Sequence, residues 1–435
     1  MLWYVWYFIS LMLKLRSLYV VTSLCFMMPF ALSSTYKVFT YMDDGMMMHT
    51  TLNMTLMFLT LTLGLLVMLS CWYVNETKYN FLILLLSLTL FGCFLSSNLL
   101  TFYVCFEVSL LPILFMVMGW GYQPERIQAG VYMVMYTVFA SMPLMVAIFY
   151  LYMQYNSLWV GVLLLVPLSM PTPLWLLGFM AFMVKLPVYG FHIWLPKAHV
   201  EAPLGGSMML AGVLLKLGGY GLYLYSTLLS LSNTSIISCF LIALAAWGGS
   251  LAAWLCFNQN DIKAMIAYSS IVHMSIVVMG LISTSTWGLA SATITMVAHG
   301  WVSSGLFLMA YVTYSFVGSR SFNYTKGLLK VVPVLSMSWF TYCIWNMAVP
   351  PTINLVGELA IIPVSLMFNF KLLVVVLMIM FLSVSYNMYL YMSMNHGSQS
   401  GYMNMFKSMR SSTFLPLVGH LSPLMFLLNM DLLYY

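Results

Sequence analysis

The sequence of 435 residues is 63% hydrophobic and only 6% charged, with a net charge of +6 and a mean hydropathy of +0.98. A soluble domain is about 25% charged, so this chain lacks the polar residues needed to cover a surface that faces water. The composition therefore excludes a soluble enzyme, a disordered protein and a nucleic-acid-binding protein, and it predicts a polytopic membrane protein.

Apolar runs separated by charged or Gly/Pro-rich stretches predict an all-α fold of fourteen membrane-spanning helices. Each span needs about 20 apolar residues to cross about 30 Å of hydrocarbon. In chain order, the predicted spans are 1–13, 17–34, 51–74, 80–97, 99–119, 129–153, 172–194, 206–229, 235–257, 262–282, 286–316, 331–348 with a broken continuation to 366, 371–393 and 412–430. The first apolar run is interpreted as a retained helix, because it lacks a small-residue cleavage site and further spans follow it.

Lysine and arginine are distributed unevenly between the predicted loops. The loops after odd-numbered spans hold eleven of them: Lys14, Arg16, Lys78, Arg126, Lys197, Lys263, Arg320, Lys326, Lys330, Lys407 and Arg410. The loops after even-numbered spans hold only Lys37 and Lys371. Basic loops stay on the side of the membrane where the protein is made, so the odd loops are expected to face that side.

A weak internal similarity divides the chain. The tetrapeptide M-V-M-G at 116–119 resembles V-V-M-G at 277–280, at an offset of 161 residues and five spans later. An odd number of spans between copies predicts an inverted repeat, an arrangement typical of secondary transporters. The predicted organisation is three N-terminal helices in 1–79, inverted five-helix repeats in 80–229 and 230–393, and helix fourteen with a tail in 394–435.

Four charged residues interrupt otherwise apolar spans: Glu107, Lys185, Lys216 and Glu358. Each costs about 2.5–3.5 kcal/mol at a span centre, and such residues face the bundle interior and usually mark an ion path. The alternatives are a static ion pair or a lysine that reaches the membrane interface. A contact between Glu107 and Lys185 that opens and closes would change the proton affinity of the lysine, and would load and release a proton there.

Two histidines could extend such a proton relay. His273 follows Ser269 by four residues, and His299 lies between Thr295 and Ser303 at the same spacing. Residues four apart share one helix face, so each histidine belongs to a polar stripe in an apolar helix. The alternative for each histidine is an ordinary hydrogen bond between helices.

The seventh and twelfth spans are predicted to be broken. Pro187 follows Lys185 closely, and Pro350 and Pro351 precede Glu358. Proline removes a helical hydrogen bond and clashes with the preceding turn, and a broken membrane helix is tolerated where its backbone lines a cavity or packs on protein.

A polar cluster follows the break in the seventh span and is interpreted as an interfacial turn that locks the break. Its members are His192, Lys197, His199 and Glu201. Their spacing does not favour a metal site. Asp261 and Lys263 are interpreted as a helix-start carboxylate and an orientation charge.

Five motifs carry a resemblance to a known family. They are V-K-L-P-V-Y-G-F-H-I-W-L-P-K-A-H-V-E-A-P-L-G-G-S with L-L-K-L-G-G-Y in 184–220, G-W-G-Y-Q-P-E-R at 119–126, I-A-Y-S-S at 266–270, A-H-G at 298–300 and P-P-T-I-N-L-V-G-E-L at 350–359. Over roughly residues 50–395, the chain closely resembles the antiporter-like membrane subunits of NADH:quinone oxidoreductase, respiratory complex I.

The resemblance implies a fourteen-helix subunit of the mitochondrial inner membrane with two inverted five-helix repeats and one proton route. It implies that Glu107, Lys185, Lys216 and Glu358 form that route, with His273 and His299. NADH, FMN, iron–sulfur clusters and ubiquinone are expected on other subunits, with no cofactor or metal on this chain. The expected partners are neighbouring antiporter-like subunits and lipid, including cardiolipin, but no nucleic acid. A stand-alone cation/proton antiporter subunit and an inert scaffold remain the alternative functions.

Overall fold

A computed structural model of the chain describes residues 50–71, 76–166, 171–228, 236–398, 411–421 and 423. The predicted spans at 1–13 and 17–34 lie outside these residues, as does the end of the predicted span at 412–430. Within the described ranges the chain is helical, and nine helical stretches, with Leu99–Trp120 taken as one, are long and apolar enough to cross a membrane. The prediction of an all-α polytopic membrane protein is therefore confirmed.

The helices correspond to predicted spans three to thirteen and to part of the fourteenth. In chain order they are α1 Thr51–Ser70, α2 Thr77–Leu95, α3 Leu99–Val108, α4 Leu110–Trp120, α5 Arg126–Tyr155, α6 Val160–Leu165, α7 Thr172–Lys185, α8 Trp194–Glu201, α9 Leu204–Leu228, α10 Ile236–Phe257, α11 Ile262–Ile282, α12 Thr286–Val317, α13 Leu328–Val331, α14 Pro333–Asn346, α15 Ile353–Phe368, α16 Phe370–Asn395 and α17 Ser411–Leu421. The total of fourteen spans, the inverted repeats and the four predicted segments stay predictions.

Both predicted breaks are present. Helix α7 ends at Lys185 and the next helix begins at Trp194, whereas α14 ends at Asn346 and α15 begins at Ile353. Proline lacks the N–H that would continue the helical ladder, so Pro187 and the pair Pro350-Pro351 stop each helix.

Three local features differ from the sequence prediction. The predicted interfacial turn is wrong for residues 194–201, which form helix α8, and the short helix α6 was not predicted. The predicted fifth span consists of two helices that meet at Ser109. The proline three residues later, Pro112, has no N–H to bond the carbonyl of Val108, which accounts for the interruption.

The described chain forms two compact units. The first contains the described residues up to Leu186 and those from Glu201 to 228, and the second contains Pro187–Val200 and the described residues from 236 onward. In the first unit an aromatic cluster joins α3, α7 and α9. The ring of Phe102 lies 5.8 Å from that of Tyr220 and 6.4 Å from that of Phe182, measured between centroids.

In the second unit, α10, α11, α12 and α15 form the packed centre. Small residues permit these contacts, because a β-carbon on Gly249 would lie 2.2 Å from Ser275 Oγ and one on Gly357 would lie 2.6 Å from a methyl carbon of Thr295. The hydroxyl of Ser291 also donates to the Gly357 carbonyl at 2.7 Å. Close approach of helices at small residues and hydroxyl bonds between helices are typical of membrane bundles.

We expect the variant Gly221→Ala to destabilise the first unit. An added β-carbon would lie 2.2 Å from a ring carbon of Phe182 and 2.9 Å from Phe102 Cζ, and overpacking of this kind costs about 1–3 kcal/mol. The matched control is Gly64→Ala in α1, where nothing lies within 4 Å of the added carbon and alanine favours the helix by about 0.5–1 kcal/mol. Membranes are heated in steps and then run on a native gel. The Gly221→Ala chain should be lost at a lower temperature than the wild-type chain, whereas the Gly64→Ala chain should not. Equal losses would contradict the packing described.

Candidate functional site

Lys185 is the last residue of α7 and is buried in the first unit, with 4% of its surface exposed. Its ammonium nitrogen lies 4.6 Å from the centroid of the Phe106 ring. An aromatic face attracts a cation, so Phe106 holds the lysine beside helix α3. The break after Lys185 places this charge at the end of a helix, where the last carbonyls also favour a positive group.

Glu107 follows Phe106 on α3 and is the acidic partner that the sequence predicted for Lys185. The carboxylate is partly buried, and Lys185 and Ser141 are among its electrostatic and polar neighbours. Its Oε1 atom has no hydrogen-bond partner in the described part of the chain. The two charged groups are not within the 4.0 Å of a direct ion pair. The structure therefore places them as neighbours in an open arrangement, without a direct contact between their charged atoms.

Lys216 is completely buried in α9, with 0% exposure. Its ammonium donates to the carbonyl of Ala211, five residues earlier. Residues Leu210–Leu214 form a turn of π-helix, and such turns disturb the regular ladder and are frequent at functional sites. The π turn therefore presents a backbone oxygen to the lysine, a feature for which the sequence offered no signal.

A glycine brings the two lysine-bearing helices together. A β-carbon on Gly218 would lie 3.0 Å from Lys185 Cβ and 3.2 Å from the backbone nitrogen of Leu186. Helix α9 thus contacts the end of α7 two residues after Lys216. The first unit therefore contains three of the predicted site residues, on α3, α7 and α9.

The second unit contains the other three predicted residues. Glu358 on α15 is 4% exposed, and its Oε1 lies 3.6 Å from His273 Nδ1 on α11. The ring centroid of His273 lies 5.4 Å from that of His299 on α12. Both histidines are almost fully buried. The acid and its neighbouring imidazole lie slightly beyond hydrogen-bond distance, so a small approach or a single water molecule would let them exchange a proton.

The hydroxyls of the predicted polar stripes have a different role from the histidines. Ser269 donates to the Ile266 carbonyl at 2.8 Å, and Ser303 donates to the His299 carbonyl at 2.6 Å. Thr295 donates to the Ser291 carbonyl at 2.8 Å. These hydroxyl protons are engaged by the backbone of their own helices, as is usual for such residues within a helix, so the histidines are the titratable members of each stripe.

Sequence reasoning missed a partly buried polar contact around the segment 187–200. The Val200 carbonyl accepts from Lys263 Nζ at 3.3 Å and from Arg320 at 2.8 Å. Lys263, interpreted above as an orientation charge, is only 5% exposed. Asp261 stands at the start of α11 without a capping bond from its side chain. These contacts join residues over 60 positions apart, which no local pattern reveals.

Stacked rings hold the two histidines of the predicted polar cluster. His199 is fully buried and stacks on Phe307 with 4.5 Å between centroids. His192 stacks on Tyr189 at 4.7 Å, and its Nδ1 accepts from the Gly190 amide. Within the described ranges, no three His, Cys, Asp or Glu side chains are grouped so that they could hold a metal ion.

The sequence and fold match those of known membrane proteins. Residues 96–384 match the family described as NADH:quinone oxidoreductase/Mrp antiporter, transmembrane. The chain is 43% identical over 408 residues to NADH-ubiquinone oxidoreductase chain 4 of Albinaria caerulea, with 93% of each chain covered. The chain belongs to the NADH:quinone oxidoreductase/Mrp antiporter family.

Solved structures share the fold of this family member. A chain of respiratory complex I from Thermus thermophilus, solved with bound NADH, superposes with a TM-score of 0.87 at 22% identity, covering 98% of this chain and 94% of that chain. A chain of the Mrp complex from Dietzia sp. DQ12-45-1b gives a TM-score of 0.82 at 17% identity, covering 96% and 91%. All six predicted site residues lie within the segment that matches the family.

Proposed function

We propose that this chain is a proton-translocating membrane-arm subunit of NADH:ubiquinone oxidoreductase. The observation that carries the proposal is the set of buried and partly buried ionisable groups in both units of a chain 43% identical to NADH-ubiquinone oxidoreductase chain 4. In the first unit the group is Glu107, Lys185 and Lys216; in the second it is His273, His299 and Glu358. Each group supplies proton acceptors inside an apolar bundle, where ionisable residues are expensive and mark ion paths.

The proposed mechanism uses proton exchange between neighbouring groups. Closure of the open pair of Glu107 and Lys185 would favour the charged lysine, and its opening would release the proton. The carbonyl of Ala211 offers Lys216 one neutral acceptor. In the second unit, a proton on His273 can pass to the Glu358 carboxylate 3.6 Å away. Electron transfer would drive these changes from elsewhere in the complex.

The redox chemistry would belong to other subunits. We propose that NADH, FMN, iron–sulfur clusters and ubiquinone are bound there, and that this chain carries no redox centre. Its partners would be other membrane-arm subunits, including neighbouring antiporter-like chains, with lipid such as cardiolipin around them. The mitochondrial inner membrane is the proposed location, with the loops after odd-numbered spans facing the matrix.

A stand-alone cation/proton antiporter is the second candidate function. The fold shared with the chain from the Mrp complex favours it, because the same helix bundle then occurs in a complex other than complex I. The sequence relationship favours the first candidate, since the identity to the chain of Albinaria caerulea extends over 93% of both proteins.

A native gel of mildly solubilised membranes separates the two candidates. The gel is stained for NADH dehydrogenase activity, and mass spectrometry locates this chain. We expect the chain to co-migrate with the activity. Migration in a smaller assembly without NADH activity would contradict the complex I proposal and would favour the antiporter, which sodium and pH gradients across vesicles would then test.

A further inference from the structure

A groove opens on the surface of the first unit between the first turns of α2 and the last turns of α4. Its volume is about 670 Å³, which lies in the range of small-ligand sites. Phe81 of α2 and Phe115 and Met118 of α4 line the groove, and all three side chains are exposed. An apolar groove on the surface of two membrane-spanning helices fits a hydrocarbon chain, because nothing in it requires a hydrogen bond.

The groove lies where these two helices meet one surface of the membrane. Helix α2 begins at Thr77, and the next span, formed by α3 and α4, ends at Trp120. The start of one span and the end of the following span are on the same side of a bilayer. The Trp120 ring lines the groove and packs against the Tyr79 ring, with 5.4 Å between centroids. Tryptophan is enriched at the level of the lipid headgroups, so the groove extends from that level into the hydrocarbon.

Two opposite charges stand at the end of the groove nearest the membrane surface. Lys78 is exposed and lines the groove, and Glu76, the N-cap residue of α2, is exposed two positions earlier. One carboxylate oxygen of Glu76 accepts from the Trp120 indole at 2.5 Å, which fixes the carboxylate beside the groove. In the part of the chain that the structure describes, Lys78 and Glu76 do not form an ion pair within 4.0 Å. The groove therefore offers a cation and a carboxylate as separate groups.

This pair of charges complements a zwitterionic phospholipid headgroup, which carries a phosphate and an ammonium group. A lysine ammonium binds a lipid phosphate, and the start of helix α2 also favours an anion. The Glu76 carboxylate can accept hydrogen bonds from a primary ammonium group. A headgroup with a phosphate and no ammonium would bring a negative charge close to Glu76 without compensation, and a choline headgroup has no N–H to donate. The chemistry therefore favours an ethanolamine headgroup.

We propose that the groove between α2 and α4 is a binding site for phosphatidylethanolamine. The phosphate of the lipid binds Lys78, its ammonium group binds Glu76, and one acyl chain lies against Phe81 and Phe115. The site is independent of the proton-binding residues, so it belongs to the chain in either of the two assemblies considered above.

Gly119 offers a way to close the groove without disturbing the helices. It lines the groove, and a β-carbon added to it would have no atom within 4 Å. A larger side chain at this position can therefore enter the space proposed for the lipid chain. Leucine also favours a helix more than glycine does, so Gly119→Leu is expected to retain α4 and the assembled complex.

The test is photochemical labelling of the assembled complex in phosphatidylcholine nanodiscs. The probe is a trace of phosphatidylethanolamine with a photoactivatable diazirine in one acyl chain, and mass spectrometry locates the label after digestion. We expect label on residues 77–82 and 115–120. Gly119→Leu should reduce this label about tenfold, because its side chain and the lipid chain compete for one space. Lys78→Gln should reduce it about fivefold, the contribution of one basic residue near a lipid phosphate.

Each variant has a matched control. Leu111 is exposed on α4 outside the groove, so Leu111→Phe adds bulk to the same helix and should leave the label unchanged. Lys330 is exposed in the second unit, so Lys330→Gln removes a charge elsewhere and should also have no effect. Absence of label from both segments of the wild-type chain would overturn the site, as would equal labelling of the wild type and Gly119→Leu. If Gly119→Leu does not assemble, undiminished labelling of Lys78→Gln would overturn it.

Competition by unlabelled lipids tests the choice of headgroup. Phosphatidylethanolamine should displace the probe about fivefold better than phosphatidylcholine or phosphatidylglycerol, and Glu76→Gln should reduce this advantage. Equal displacement by all three lipids would overturn the assigned headgroup. A short amine-reactive cross-linker tests for a protein in the groove. Cross-links from Lys78 to another subunit, without lipid label on the two segments, would show that a protein covers the groove and would overturn the lipid site.

Discussion

Replacing Lys216 with methionine is expected to stop proton translocation through this chain while the complex still assembles. Lys216 is 0% exposed and its ammonium is bonded to the Ala211 carbonyl. Methionine has a similar length and an apolar end, so it fills the space without a buried charge. Loss of a positioned proton donor and acceptor typically lowers a rate about 100-fold or more.

The measurement is proton pumping by the reconstituted complex at saturating NADH, with assembly checked on a native gel. Lys371→Met is the matched control, because Lys371 is exposed at the start of α16. We expect the control to pump at the normal rate. Normal pumping and electron transfer by Lys216→Met would show that the lysine has no part in the route, and would favour the inert scaffold.

The pair of Glu107 and Lys185 should distinguish a working relay from a static ion pair. Glu107→Gln leaves Lys185 buried without its acidic neighbour. Removal of one member of a fully buried pair costs about 3–5 kcal/mol, and the cost here is expected to be smaller because Glu107 is only partly buried. We therefore expect less assembled complex at elevated temperature and pumping reduced about 100-fold.

The double variant Glu107→Gln/Lys185→Met gives the decisive comparison. It removes the unpaired charge, so thermal stability of the assembled complex should return towards that of the wild type. Pumping should stay low, because neither proton-binding group remains. A static pair predicts the opposite, namely that pumping returns together with stability.

Proline positions and intramembrane charges were readable from the sequence because their effects are local. Pro187, Pro350 and Pro351 each remove a backbone donor wherever they occur in a helix, and both predicted breaks are present in the structure. The burial of Lys185, Lys216 and Glu358 follows from the high cost of exposing a charge to hydrocarbon. Their partners could not be read in this way.

Those partners depend on which helices pack together. The Glu358 carboxylate lies beside His273, 85 positions earlier, because α15 packs in the same unit as α11. Arg320 reaches the Val200 carbonyl across 120 positions. Lys263 was interpreted from its place in a loop as an orientation charge, but packing of the segment 187–200 buries it.

The sequence by itself determined the membrane class, most helices, the two broken spans and the six candidate proton-binding residues. Each follows from composition or from the chemistry of one residue in its own segment. Only the tertiary structure decided the π turn before Lys216, the open arrangement of Glu107 and Lys185, and the contact between Glu358 and His273. The last two features arise from distances between segments far apart in the chain, and such distances are set by side-chain packing rather than by local pattern.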